Sequence, residues 1–286
     1  MISNKTLGAV LAAGLVLASC RTSPAPPPRP TTTVTDPATA AVERLADEKT
    51  RGEARKEIVA LGAAAVPSLL AHAHDPNPQL RWEVANFLGV FSDPRALPVL
   101  AESALDDDNP HVRWRSLWAL SRVAKRDDIL AALRPGLTSK NADVRWNAAL
   151  GLSFFDCADG LALLQTGVRN PDPFRRWEAI NSLSRVHDAS TVAALRIPLE
   201  SPSVRDRNET VLTLGAIGGS EAVSMLLNAL TDESSEVRWR AAMALGRAGD
   251  PSVLGALRSV AEHDTDGTVR ENATKAVAQI ERKVRM

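Results

Sequence analysis

An arginine returns along this chain at Arg81, Arg113, Arg145, Arg176, Arg207, Arg238 and Arg270, at intervals of 32, 32, 31, 31, 31 and 32 residues. Three more columns keep its register. Seven residues after each arginine stands an aliphatic (Leu88, Leu120, Leu152, Leu183, Leu214, Leu245, Val277), and one further on a small residue (Gly89, Ser121, Ser153, Ser184, Gly215, Gly246, Ala278). Six before it stands a short polar residue (Asp75, Asp107, Ser139, Asn170, Ser201, Asp232, Asp264). A period of this length means one supersecondary unit, repeated and stacked, because such a unit buries its apolar face only against its neighbours.

Each unit reads as two helices. The pairs three and four residues after the arginine, such as Ala148-Ala149, Ala179-Ile180 and Ala241-Ala242, join the aliphatic at plus seven in one apolar helix face. The Gly or Ser at plus eight permits close packing or a helix exit. A second segment then begins, as at Asp93-Pro94 and Asp250-Pro251, where the aspartate caps and the proline occupies a first-turn position that needs no N–H. The pattern Asp-x-x-x-Val-Arg-x-x-Ala-Ala-x-x-Leu-Gly, clearest from Thr231 to Gly246, resembles the HEAT repeat, and units this short are most similar to the bilin-lyase-type HEAT-like family. The resemblance runs from about Ala54 to Val284. It implies an all-α solenoid, an α-α superhelix of about seven to eight helix pairs, with the second helix of each pair on the concave face. The valine that normally precedes the arginine is missing at Arg175 and Asp206, where Phe174 and Val204 are the expected substitutes. The first unit, near Arg55 to His74, and the last are expected to be atypical, since one side of each meets water.

The ends carry other information. Lys5, the apolar stretch Leu7 to Ala18 and the closing Leu17-Ala18-Ser19-Cys20 resemble a bacterial lipoprotein signal. The stretch falls short of the roughly 20 residues that span a bilayer. Residues 1–19 are thus expected to be a cleaved signal and Cys20 the lipidated N-terminus, carrying palmitate-type acyl chains; an ordinary secretory signal cut near Ala18 is the alternative. Arg21 in place of an aspartate implies, by the same resemblance, passage to the outer membrane, with the body facing the periplasm. Residues 20–40 read as a Pro/Thr-rich linker and 41–286 as the repeat domain. With the prolines in polyproline II, at about 3.1 Å per residue, the linker would hold the body some ~50 Å from the lipid.

Without Lys5, Arg21, Arg29 and Asp36 the body carries 31 basic and 33 acidic residues. That balance does not suit a nucleic-acid partner, which needs a strongly basic face. Cys157 is the one thiol besides Cys20 and reads as a small buried hydrophobe. His72, His74 and Asp75 form the densest set of possible ligands, but residues two apart on a helix diverge. No phosphate loop, nucleophile elbow or Cys-x-x-Cys pair is present. Neither catalysis, a metal nor a cofactor is expected.

Two columns could carry function. The arginines project toward the apolar face, where each needs a partner: the short polar residue six earlier or a carboxylate of the adjacent unit. They read as a structural ladder. Directly after five of them comes tryptophan, at Trp82, Trp114, Trp146, Trp177 and Trp239, and Trp118 lies one turn beyond Trp114. The plus-five column adds Asn86, Asn181 and Met243. Trp82/Asn86 and Trp177/Asn181 resemble the groove motif of armadillo proteins of the importin-alpha kind, where indoles stack on a peptide and amides bind its backbone. Two readings stand: the indoles wedge between successive second helices, or they line a groove for a protein or extended peptide. The plus-two column, including Glu83, Arg115, Asn147, Glu178 and Glu209, is expected to face the same groove. The expected function is a non-catalytic binding scaffold on a lipid anchor. The alternatives are a bilin-lyase-like tetrapyrrole binder and an assembly lipoprotein using its convex face.

Overall fold

The computed structural model describes residues 36–186, 188 and 190–285. The signal, Cys20, the linker up to Thr35 and His187 lie outside them. Among the described residues the chain is an all-α solenoid of eight stacked pairs. The first pair is α1 (Pro37–Glu43) with α2 (Glu48–Leu61); the second is α3 (Val66–Ala71) with α4 (Pro78–Phe91); the third is α5 (Leu97–Asp106) with α6 (Pro110–Val123). Next come α7 (Arg126–Leu133) with α8 (Ala142–Phe154), and α9 (Leu161–Gly167) with α10 (Pro173–Leu183). In the sixth pair the first helix is broken into α11 (Ser190–Ala194) and α12 (Arg196–Leu199), facing α13 (Val204–Ile217). The last pairs are α14 (Gly219–Ala229) with α15 (Ser235–Ala248), and α16 (Leu254–His263) with α17 (Gly267–Arg285).

The stack starts earlier than the repeat pattern indicates. Asp36 accepts a bond from the Thr39 N–H at 3.4 Å, Ala38 and Ala41 are buried, and Pro37–Ala40, grouped with the linker by composition, form the first turn of α1. Arg51 is an eighth member of the arginine column: its Nε donates to the carbonyl of Leu45, six residues before it, at 2.9 Å. Ile58 stands seven after it. The unit escapes a column search because Leu45 replaces the polar residue and Val59 the small one.

The residue six before the arginine does up to three things, all of them at Asp107, Asp232 and Asp264. Its side chain accepts the backbone N–H two residues on, as Asp107 does from Asn109 at 2.9 Å and Asp232 from Ser234 at 2.8 Å, folding the turn between the helices. The N-cap itself is the residue four before the arginine, for example Asn77, Asn109 and Asn141. Its carbonyl accepts the Nη1 of its own unit's arginine, at 2.8 Å for Asp75–Arg81 and 2.9 Å for Asp232–Arg238. Its carboxylate accepts the arginine of the preceding unit: Asp107 from Arg81 at 2.7 and 2.8 Å, Asp232 from Arg207 at 2.8 and 3.0 Å, Asp264 from Arg238 at 2.8 and 2.9 Å. The guanidinium thus lies back over the turn before its helix, as helical side chains lean toward the N-terminus, and not in the middle of the apolar face. The Arg238 guanidinium holds the Asp264 carboxyl below its usual range.

The two sequence departures belong to this ladder. Ser201 has no carboxylate to offer Arg176, and Asp206, in the missing-valine position, accepts from Arg176 at 2.8 Å and from Ser201 Oγ at 2.9 Å. Arg175 reaches back to Asp143 of the unit before. Val204 packs partly buried against the core as expected, but Phe174 fills no hole: it is 46% exposed and stacked on Trp177.

At two junctions no carboxylate among the described residues takes the arginine. Arg113 faces Ser139 and Arg145 faces Asn170, so each keeps its turn carbonyls alone, at 2.8 Å to Asp107 and 2.7 Å to Ser139 respectively. The plus-eight column follows suit. A Cβ on Gly89 would come within 2.9 Å of Ala119 Cα, and one on Gly246 within 2.8 Å of Ala276 Cα, so glycine is required where α4 meets α6 and α15 meets α17. Ser121, Ser153 and Ser184 bond their own helix carbonyls instead. In this middle stretch α8 rests on α5 and no longer runs closely beside α6. The apolar core divides there into two clusters, with Leu152 in the N-terminal one and Trp146, Ala149 and Leu150 in the C-terminal one.

Removing one partner of a buried bidentate pair strands the other, at a cost of about 2–4 kcal/mol. Arg207→Met is therefore expected to lower unfolding stability by that order. Arg113→Met, at an unclamped junction, is expected to cost less than ~1 kcal/mol. Urea denaturation of the two variants side by side checks the difference.

Candidate partner-binding surface

At two tryptophans the column is an inter-unit seam, built from plus one of one unit against plus two of the next. The Arg115 guanidinium lies over the Trp82 ring at 4.3 Å and also over Trp118 at 5.0 Å. The Trp146 N–H donates to Glu178 Oε2 at 2.8 Å. Trp239 lies under Arg240 at 4.7 Å, and Trp177 is stacked by Phe174 at 5.7 Å. Trp114 meets Phe154 edge-on at 6.2 Å, and Arg185 caps both rings. Desolvation beside those rings lowers the Arg185 pKa, and it has no carboxylate partner among the described residues.

Several expected groove residues prove to be interior. Trp146 is 4% exposed and cannot stack on a peptide; its plus-five neighbour Leu150 is buried as well. The cause is the placement of α8, which is buried continuously from Trp146 to Ser153, its polar members Asn147 and Ser153 bonded to the Leu105 and Leu150 carbonyls. It is bedded on glycine: a Cβ on Gly160 would meet Ala149 Cα at 2.6 Å, and one on Gly167 would overlap the Trp146 ring. Three members of the plus-two column are likewise buried. Glu83 is fully buried and pairs with Arg51 and Arg55, Glu178 is buried against Trp146, and Asn147 donates to the Leu105 carbonyl at 2.9 Å. Asn181 gives its amide hydrogens to Trp177 O at 3.1 Å and Glu209 at 3.3 Å, so it has none left for a peptide.

What remains half-exposed on the second helices is Trp82, Asn86, Trp114 and Trp118 on one side of α8, and Trp177, Trp239 and Met243 on the other. Asn86 makes no hydrogen bond among the described residues and keeps both donor and acceptor. Indoles in this state offer a broad apolar wall with a polar N–H.

The recession of α8 also leaves a cleft that column-by-column reading missed. Its volume is about 490 Å³, and it lies between the N-terminal ends of α6, α8 and α10. Asp106, Asp107, Asp108 and Arg113 line one wall; Asp143, Trp146 and Asn147 lie toward α8; Asp172, Phe174, Arg175 and Glu178 come from the α10 side. Burial pushes the Glu178 carboxyl above its usual range, partly offset by the Trp146 N–H and by Arg113 and Arg175. The sequence signals were Ser139 and Asn170 in a column with aspartate at four positions, together with the apolar run Ala148 to Leu152.

The other candidate ligands diverge. His72 Nδ1 lies 2.8 Å from the Ser68 carbonyl and His74 sits 3.7 Å from Glu102. Cys157 is a buried free thiol.

Truncating a fully buried indole costs about 3–5 kcal/mol, and a half-exposed one much less. Trp146→Ala is accordingly expected to cause a large loss of melting temperature. Trp82→Ala and Trp239→Ala are expected to lower it only slightly; thermal unfolding by circular dichroism measures all three.

The repeat has relatives. A family model of HEAT repeats matches residues 35–121, 130–208 and 197–278. No curated protein matches the chain. Among solved structures, the chain is similar to YibA of Escherichia coli, with 19% identity, TM-score 0.55, and 85% of this chain and 92% of that chain covered. It is also similar to human deoxyhypusine hydroxylase in complex with glycerol, with 24% identity, TM-score 0.40 and coverage of 86% and 96%. The complex of CpcE and CpcF of phycocyanin lyase from Nostoc sp. aligns with 15% identity, TM-score 0.43 and coverage of 75% and 94%. The YibA likeness is one of fold. With the arginine ladder, the paired helices and the family match covering most of its length, the chain belongs to the HEAT-repeat family.

Proposed function

We propose that this chain is a non-catalytic protein-binding scaffold, held in the bacterial cell envelope by a lipid on Cys20 and facing the periplasm from the outer membrane. The observation that carries the binding role is the set of half-exposed side chains Trp82, Trp114, Trp118, Trp177 and Trp239, with Asn86 and Met243, on the second helices. Large rings left partly in water, flanked by an unused amide, are what protein interfaces collect at their centres. Trp146 and Asn181, spent on internal contacts, are not part of this surface. The near balance of 31 basic and 33 acidic residues in the body favours a polypeptide over a nucleic acid. The lipid anchor rests on the resemblance of Leu17-Ala18-Ser19-Cys20 to a lipoprotein signal. Among the described residues no helix is long and apolar enough to cross a membrane.

A photo-reactive residue at position 86 or 243, on the second helices, is expected to form adducts with another envelope protein in intact cells. The same residue at Ala131 or Arg258, on first helices, is expected to form none. Cys20→Ala is expected to release the protein from the membrane fraction and abolish the adducts. Adducts confined to the first-helix positions would contradict the surface assignment, and unchanged fractionation of Cys20→Ala would contradict the anchor.

A further inference from the structure

The cleft between α6, α8 and α10 is lined mostly by acidic side chains. Six carboxylates line it: Asp106, Asp107, Asp108, Asp143, Asp172 and Glu178. Against them stand Arg113 and Arg175 on its walls, Arg175 pairing with Asp143, and Arg81, which pairs with Asp107 and Asp108 from outside; Asp106, Asp172 and Glu178 form no ion pair among the described residues. The body as a whole is close to neutral, so this excess is local. Glu178 is 4% exposed, accepts from Trp146 through Oε2, and its Oε1 accepts from nothing among the described residues. Glu178 lines the cleft, so a cationic donor entering it can reach a carboxylate that is otherwise largely out of water.

Aromatic groups complete the site. Arg175 already lies over the Trp146 ring at 5.3 Å, so a guanidinium is at home against this wall. Phe174, on the rim, is 46% exposed and stacked on Trp177, which leaves one ring face uncovered. A volume of about 490 Å³ is ample for one long side chain with part of its backbone. The cleft exists because two columns change together: Ser139 withholds the carboxylate that would draw the fourth unit onto Arg113, and α8 sinks onto α5.

We infer that this cleft receives an arginine or lysine side chain from an extended segment of a partner protein, its cation among Glu178, Asp143 and Asp106 and an apolar neighbour on Phe174. This rests on the scaffold reading and adds to it the chemistry of one contact. Carboxylates close to aromatic faces are a recurrent means of holding such a cation. The half-exposed tryptophans on either side would then take the flanking residues.

The test titrates the full-length protein in detergent with two acetylated, amidated pentapeptides, Gly-Leu-Arg-Leu-Gly and its counterpart with citrulline for arginine, by calorimetry. Citrulline keeps the shape and removes the charge. The arginine peptide is expected to bind about tenfold more tightly. Asp143→Asn, Glu178→Gln and Phe174→Ala are each expected to weaken it by about threefold or more. Glu262→Gln, on α16, is expected to leave it unchanged. Asp143 and Phe174 are exposed, so those two variants keep the test valid if Glu178→Gln fails to fold. Equal affinity for the two peptides, absence of binding, or an equal loss at Glu262→Gln would overturn the inference. If the peptide fails while adducts at positions 86 and 243 persist, the cleft assignment falls and the scaffold stands. If the peptide binds and no adduct forms anywhere, the reverse holds.

Discussion

One guanidinium, shared between its own turn and the next unit's aspartate, fixes how these helix pairs stack. In the clamped units Nη1 of the arginine ties the turn before its helix, and Nε and Nη2 reach the aspartate of the following turn, as in Arg81–Asp107, Arg207–Asp232 and Arg238–Asp264. A repeat protein has only nearest-neighbour interfaces to keep it together. A charge-assisted, two-pronged bond sets the rotation between neighbours in a way that aliphatic packing alone does not. Leu88, Leu120, Leu214 and Leu245 supply the burial. The arginine supplies the register, and with it the direction in which every other column points.

The consequences are clearest where the clamp is absent. With Ser139 and Asn170 in place of aspartate, α8 sinks, its tryptophan turns inward to Glu178, and its neighbours meet over it, Arg185 reaching Trp114 of the third pair. Half-exposed indoles persist on both sides, on α4 and α6 and again on α10 and α15. A surface interrupted by an acidic cleft is a different recognition device from a continuous aromatic groove. It selects for charge at one point and for apolar length on either side.

The architecture was legible in the sequence because stacking repeats the same chemistry at the same interval, so each column confirms the others. The family comparison and the helix pairs agree with that reading. What resisted were positions where units differ from one another. Arg51 escaped because its partners along the chain, Leu45 and Val59, break two columns while its hydrogen bond to the Leu45 carbonyl keeps the geometry. The polar residue six before the arginine works through its carbonyl and side chain at once, and spacing alone distinguishes neither role. Asp206 looked like a missing valine and proved to be a carboxylate supplied from another position. Trp146 was placed by projecting one ideal helix, and projection carries no information on how far that helix is displaced toward its neighbours. Asn181 fitted a peptide-binding motif in sequence, but its donors are consumed by Trp177 and Glu209.

The arginine clamps add to the aliphatic contacts between successive units, and the stack is weakest where the clamps are lacking. Hydrogen exchange at increasing sub-denaturing urea measures the opening free energy of each helix. Two cooperative blocks are expected, one containing α4 and α6 and the other α13, α15 and α17, with the boundary at α8 and α10. A single block opening together from α4 to α17, or a boundary at the clamped junction between α13 and α15, would contradict this.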